Sequence, residues 1–399
     1  MKRFSLQCRR CGHVASFRPQ AICGSCGSPG LEVRYEPDGT LADSWRNGSP
    51  EPSLWRYRDR LPIADDRHAV TLGEGGTPLI AAERLGRQLG LGRLYAKDER
   101  QNPTGSFKDR QGSLALSMLR EHGVQEVVVA STGNVALAYA AYGARAGISV
   151  HAFLPRSVPG EKLREVLLYG ARTTIVEGTY DATKDQAARF ARAHGLFLDQ
   201  GFGAVPAVEG MKTLAFEIAE QLGWRAPDWY IQAVSGGMGP VGVARGFAEL
   251  QALGLVDKVP ALGLVQVSGC APMAEAFHGR LRQPRPVLEP ATAVLPLATG
   301  TPGPAYELLV DLLSSAGGTF TTASDAEAWE AMRLVARTEG ISVEPATAVA
   351  FAGLVKLVES GVIGPDECVV VNVSGHTYSV ESHVVGAHPA PVREAVSDP

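Results

Sequence analysis

The chain has almost no excess of charge: 38 Lys and Arg stand against 42 Asp and Glu, a formal net charge of −4 over 399 residues. So small an imbalance gives no electrostatic reason to expect nucleic acid or an anionic membrane as a partner. No secretory leader is expected at the start of the chain, because Arg9 and Arg10 follow Lys2 and Arg3 before any apolar stretch develops. The most apolar long window, residues 126–154, is broken by Asn134, Arg145 and several glycines, so it reads as buried core and not as a membrane span. A cytoplasmic protein is therefore expected. Cysteine is scarce, and six of them in such a chain do not read as a disulfide framework. Internal repeats and low-complexity tracts are absent, and only the closing "GAHPAPVREAVSDP" looks loosely held.

What is present describes a soluble globular protein with a sizeable core: 45% apolar and 20% charged residues. The length exceeds one ordinary domain and predicts two packed domains with an appendage. Four cysteines form that appendage's signature, Cys8-Arg-Arg-Cys11 and Cys23-Gly-Ser-Cys26, with Gly12 and Gly27 behind the knuckles. Each C-x-x-C turn aims two thiolates at one point, and the pair predicts a closed, four-cysteine structural zinc ribbon. A ribbon that has lost its metal, or a redox pair, is the plainer alternative. Cys270 and Cys368 lie in apolar surroundings and are expected to be core residues.

Residues 36–70, including "SLWRYRDRLPI" (53–63), lack periodicity and read as a linker or wrap-around arm. Beyond residue 90, short β-branched runs alternate with Ala-rich helical stretches. The runs are "EVVVA" (126–130), "SVHAFL" (149–154), "TTIV" (173–176), "LFLD" (196–199), "WYIQAV" (229–234), "LGLVQV" (262–267) and "CVVVNV" (368–373). Helix-length segments such as 133–146, 207–223 and 241–253 fall between them. This predicts an α/β fold with parallel sheets flanked by helices, whose ligands gather at the carboxyl ends of strands.

Two strand ends stand out. Ser131-Thr132-Gly133-Asn134 opens a helix and offers hydroxyls and backbone amides to a carboxylate or phosphate, although a simple N-cap would also use one such residue. Ser235-Gly236-Gly237-Met238-Gly239-Pro240-Val241-Gly242 contains a formal G-x-G-x-x-G. The next strand ends in "LVQVSG", with no carboxylate to hold a ribose, and no Gly-Lys-Ser/Thr follows. A dinucleotide or nucleoside triphosphate site is thus disfavoured, and a cradle for a single phosphate remains. In "NPTGSFKDR" (102–110), Lys108 follows Phe107 at a turn into a helix. An ammonium drawn into an apolar pocket loses protons more easily and becomes nucleophilic. A surface lysine paired with Asp109 is the plainer reading. An amine beside a phosphate cup is the combination that pyridoxal phosphate uses.

"LYAKDERQNPTGSFKDR" (94–110), "LGEGGTPLI" (72–80), "ASTGNVALAYAAYGARAG" (130–147), "VEGMKTLAFEIAEQLGWRAPDW" (208–229) and "EGISVEPATA" (339–348) resemble the threonine synthases and their close paralogs, within fold type II of the pyridoxal phosphate enzymes. The similarity runs from about residue 5 to about 380, ribbon included. It implies a pyridoxal-phosphate-dependent carbon–oxygen lyase of two domains. Residues 71–110 and 200–385 would form the large cofactor domain and 111–199 a small mobile one. Residues 1–35 would be the ribbon, 36–70 the arm and 386–399 the tail. Lys108 matches the lysine that holds the cofactor covalently and then moves protons at the substrate's α and β carbons. Phe107 matches the aromatic beside it, and Asn134 the asparagine at the ring's 3-hydroxyl. Ser131, Thr132 and Gly133 match the loop that grips the α-carboxylate, and Gly236, Gly237, Met238 and Gly239 the phosphate cup.

Ser374 matches the hydroxyl facing the pyridine nitrogen, which leaves that nitrogen largely unprotonated and favours elimination and addition over transamination. The implied reaction converts O-phosphohomoserine and water to threonine and phosphate by γ-elimination and then hydration. A homodimer acting on a small amino acid is implied as well. Two stretches depart from the family pattern: Ser374-Gly375-His376-Thr377-Tyr378-Ser379 in place of "TGHGLKD", and "LATGTPGPA" (297–305) in place of an "IGNP"-like run. The second faces the substrate side in the family. It keeps open a paralog acting by β- or γ-replacement or elimination on another activated amino acid, such as phosphoserine, an O-acylhomoserine, serine or threonine. A non-catalytic relative is opposed by the intact Lys108, Asn134 and glycine cup.

Overall fold

Runs rich in Val, Ile and Thr become strands, and the Ala-rich segments between them become helices that cover the sheets. The computed structural model describes residues 4–15, 23–28, 31–199, 205–303, 305–376 and 393–394. The chain opens with β1 (Phe4–Cys8), β2 (Val14–Ala15) and β3 (Leu31–Tyr35), an antiparallel sheet in the order β2-β1-β3. At the two knuckles Gly12 and Gly27 adopt φ of 70° and 69°, and their N–H groups donate to the carbonyls of Cys8 and Cys23. A side chain there would be strained, which is why glycine follows each pair. The arm contains α1 (Leu41–Arg46) and two 3₁₀ segments. Its Leu54, Trp55, Tyr57, Leu61 and Ile63 are buried, so the stretch belongs to the packed body.

The next elements are β4 (Leu79–Ala81), α2 (Glu83–Leu89), β5 (Arg93–Asp98), α3 (Lys108–Glu121), β6 (Glu126–Ala130) and α4 (Asn134–Ala146). Then come β7 (Ser149–Pro155), α5 (Gly160–Leu168), β8 (Arg172–Val176), α6 (Tyr180–His194), β9 (Phe197–Asp199) and α7 (Val205–Gln221). The chain continues through β10 (Trp229–Ala233), α8 (Met238–Ala252), β11 (Ala261–Val267), α9 (Pro272–His278), α10 (Ala305–Ala316) and β12 (Gly318–Ala323). It closes with α11 (Asp325–Glu339), α12 (Pro345–Glu359), β13 (Cys368–Val373) and β14 (Arg393–Glu394). One sheet runs β12-β11-β10-β13-β5-β4, parallel except for the β4/β5 pair. The other, β14-β8-β7-β6-β9, is parallel throughout.

All seven expected runs are strands, with ends moved by no more than a residue. β4, β5 and β12 were not expected. β5 carries Lys97 and Asp98, which are buried in the sheet and paired there, so its polar residues disguise an interior strand. β14 pairs with β8 at the edge of the second sheet, within the closing stretch that looked loose. Cys270 and Cys368 are buried, and burial raises both thiols, Cys270 to about 11. In the larger sheet β13 lies between β10 and β5, so the loops that leave β10 and β13 emerge side by side.

Candidate active site

α3 starts at Lys108, and the turn before it is pinned to the end of β13. Phe107 N–H donates to Ser374 O at 2.9 Å, Ser106 and Gly375 form a bridge, and His376 N–H donates to Gly105 O at 2.9 Å. Lys108 is half-buried, with Nζ 4.2 Å from the centre of the Phe107 ring. Burial lowers its pKa to about 8, against the opposing pull of the Glu344 and Asp199 charges. Asp109 does not pair with it. That carboxylate is buried and accepts from the N–H and hydroxyl of Thr104 at 2.7 and 2.6 Å, so the surface-pair reading of Lys108 fails.

On the neighbouring strand, β10 leads through Ser235 and Gly236 into Gly237 (φ 84°), the N-cap of α8. A Cβ on Gly237 would lie 2.9 Å from Leu309 Cδ1, and one on Gly239 2.2 Å from Gln232 Nε2; one on Gly236 would enter open space. Two glycines thus let the backbone pack tightly, and the third leaves room at a helix N-terminus, where N–H groups and dipole favour an anion. Met238, which opens α8, shares a core cluster with Phe107.

The loop after β6 divides its work. Ser131 Oγ accepts from the N–H groups of Gly133 (3.0 Å) and Ala136 (3.1 Å), so this hydroxyl organises the start of α4 as the plainer reading proposed. Gly133 sits at φ 149°, and Thr132 and Asn134 remain half-buried. Asn134 Nδ2 donates to both oxygens of Glu344, at 3.2 and 3.0 Å. Ser374 Oγ donates to Glu344 Oε1 at 3.0 Å and lies 2.8 Å from Thr347 Oγ1. One carboxylate therefore joins the two residues matched to the cofactor's 3-hydroxyl and to its ring nitrogen. Lys162 Nζ completes the group, donating to Asn134 Oδ1 at 2.5 Å.

Glu344 and Lys162 were missed as site residues. Glu344 stands inside a quoted motif as the N-cap of α12, ahead of Pro345, and that capping pattern was its available signal. Lys162 is one cation on an amphipathic helix and carried no sequence signal. Of the departing residues, Tyr378 lies outside the described residues. Thr299 Oγ1, in the 297–305 stretch, is 2.5 Å from Ser235 Oγ.

The four cysteines of the ribbon also meet. Their Sγ atoms lie within 4.8 Å of one another, with Cys8–Cys26 and Cys11–Cys23 at 3.7 Å. Thiolates about 2.3 Å from a tetrahedral zinc are separated by about 3.8 Å, so the donor set and spacing fit that ion. At the strand ends, a lysine of lowered pKa, a glycine cradle at a helix N-terminus, and an amide and a hydroxyl held by one carboxylate fit the functional groups of pyridoxal phosphate.

Residues 70–375 match the family model described as pyridoxal-phosphate dependent enzyme. The chain is 36% identical over 392 residues to a threonine synthase of Methanocaldococcus jannaschii, covering 97% of this chain and 96% of that one. It is 37% identical over 321 residues to a threonine synthase of Mycobacterium tuberculosis, covering 80% and 86%. Among solved structures, maize serine racemase aligns with a TM-score of 0.65 at 21% identity, over 77% of this chain and 90% of that chain. Threonine deaminase isoform 2 of Solanum lycopersicum aligns with a TM-score of 0.66 at 22% identity, over 82% and 86%. At these identities the two structures share the fold.

Proposed function

Because this chain belongs to the family of pyridoxal-phosphate dependent enzymes, we propose that it catalyses the threonine synthase reaction, turning O-phosphohomoserine and water into threonine and inorganic phosphate. The observation that carries the reading is the enclosed amine of Lys108, lowered to about 8, on a turn whose Phe107 N–H is tied to Ser374 O. Pyridoxal phosphate, when bound, supplies an electron sink that stabilises negative charge at the substrate's α and β carbons.

The chain's own residues do the rest. Lys108 holds the cofactor and, once released, takes and returns protons at those carbons; burial leaves more of this amine neutral near neutral pH than an ordinary lysine keeps. Gly236, Gly237, Met238 and Gly239 hold the cofactor's phosphate through backbone N–H groups. Ser131, Thr132 and Gly133 receive the substrate carboxylate, with Ser131 mainly shaping the loop. Phe107 packs beside the ring, Asn134 meets its 3-hydroxyl and Ser374 its nitrogen. Residues 111–199 would close over residues 71–110 and 200–385 and keep bulk water from intermediates.

We also infer one structural zinc held by Cys8, Cys11, Cys23 and Cys26, and a cytoplasmic homodimer, the latter resting on the family resemblance and checked by sedimentation. No helix among the described residues is long and apolar enough to cross a membrane. Purified protein is expected to release phosphate and form threonine from O-phosphohomoserine, and Lys108→Ala to lose this turnover while keeping its fold by circular dichroism. Inertness of the native protein toward that substrate, with turnover of phosphoserine or an O-acylhomoserine, would transfer the assignment to a paralog.

A further inference from the structure

None of these roles uses Lys162, although it is only 7% exposed. It projects from the first turn of α5, and a Cβ on Gly133 would come within 2.7 Å of its Cδ, so its stem lies directly over the loop after β6. Its ammonium is 2.5 Å from Asn134 Oδ1 and 3.3 Å from Glu344 Oε2. An ammonium only donates and a carboxylate only accepts, so the pair turns the Asn134 amide one way: oxygen to Lys162, nitrogen to Glu344. That amide nitrogen carries a second hydrogen. Burying an ammonium is costly unless it is paired and hydrogen-bonded; here Glu344 is the counter-charge and the hydrogen bond goes to the one amide matched to the ring.

We propose that Lys162 is a positioning residue for the cofactor: through Asn134 it fixes the amide that meets the ring's 3-oxygen and places a positive charge next to that edge. The inference rests on the cofactor reading of Asn134 given above. The charged groups that bear on the cluster are Glu344 from the N-terminus of α12, Lys108 from α3, Asp199 from β9 and Glu165 on α5 itself. A cation here favours loss of a proton from the adjoining ring and lysine linkage, and the Glu344 carboxylate opposes that loss.

The test is a pH titration of the visible band of the holoenzyme, alongside cofactor affinity by equilibrium dialysis. Lys162→Met is expected to raise the apparent pKa of the band by about one unit or more and to weaken cofactor binding. Lys162→Arg should restore both toward wild type, and Glu344→Gln should shift the band in the opposite sense. Loss of the cofactor from Lys162→Met but not from Lys162→Arg also supports the proposal. An unmoved titration in Lys162→Met and Glu344→Gln, or equal loss of cofactor from Lys162→Met and Lys162→Arg, overturns it. Absence of any visible band in the wild type would overturn the cofactor reading, and with it this inference. A normal wild-type band with no shift in the variants would overturn the inference alone.

Discussion

At the scale of single residues, Lys108 departs most from ordinary behaviour. Its free amine attacks an aldehyde only when neutral, and burial disfavours the ammonium. Covalent capture of pyridoxal phosphate by the apoprotein should therefore rise with pH with a midpoint near 8, not near 10.5, as followed by stopped-flow absorbance. Because the Glu344 charge opposes the lowering, Glu344→Gln should move the midpoint further down. A midpoint near 10 would mean that the amine is solvated like any surface lysine. This residue was legible in the sequence because its neighbours form a long, specific motif. Asn134 was legible for the same reason, and Ser374 only because it closes a Val-rich strand, since the stretch that follows it departs from the family pattern. Lys162 was not, because its meaning comes from a contact with Glu344 across 182 positions of chain, and no local pattern records such a meeting.

At the scale of elements, α3 is held by a buried charge cluster that the sequence hides. Arg110, two residues beyond Lys108, donates to Glu99 at 2.6 and 2.7 Å and to Glu217 at 2.6 and 2.7 Å, with all three side chains buried. Lys97 of β5 donates to Glu217 at 2.7 Å. Two cations thus face two carboxylates where α3, β5 and α7 converge. Arg110→Met leaves Glu99 and Glu217 with one cation between them, a change expected to cost about 3–5 kcal/mol, measured by denaturant unfolding. Burial alone would raise the Glu217 carboxyl, but Arg110 and Lys97 hold it well below the ordinary value. This contribution to stability is therefore present above about pH 4.5 and lost as pH falls through the depressed folded value. The same cluster explains why β5 escaped notice: Leu94 and Ala96 on one face join the apolar core, but Lys97 on the other meets charge, so the short run does not read as apolar. The Val-rich strands β6 and β13 face apolar packing and could be read directly.

At the scale of the whole molecule, the question is what the ribbon contributes to a site that lies elsewhere in the chain. Leu6, Leu31 and Val33 share one core cluster with Leu54, Trp55 and Ile63 of the arm and with Leu114 and Met118 of α3. Tyr35 donates to Glu209 of α7 at 2.7 Å, and Glu32 pairs with Arg245 of α8 at 2.9 Å. The ribbon therefore braces the helices that begin at Lys108 and at the glycine loop, but it does so from well inside them. The start of α3 is fixed separately by Ser374, Gly375 and His376, and within its first turn by Arg110. Removing zinc should thus unfold the ribbon, because four converging thiolates lose the charge that holds them together, and leave the Lys108 turn in place. Metal analysis should find about one zinc per chain, and Cys8→Ser should lose it. The melting temperature should fall and proteolysis should begin within residues 1–35, while the visible cofactor band is retained. A metal-free protein of unchanged stability would refute the structural role. Loss of the band together with the metal would mean that the ribbon, and not the β13 turn, fixes where Lys108 stands.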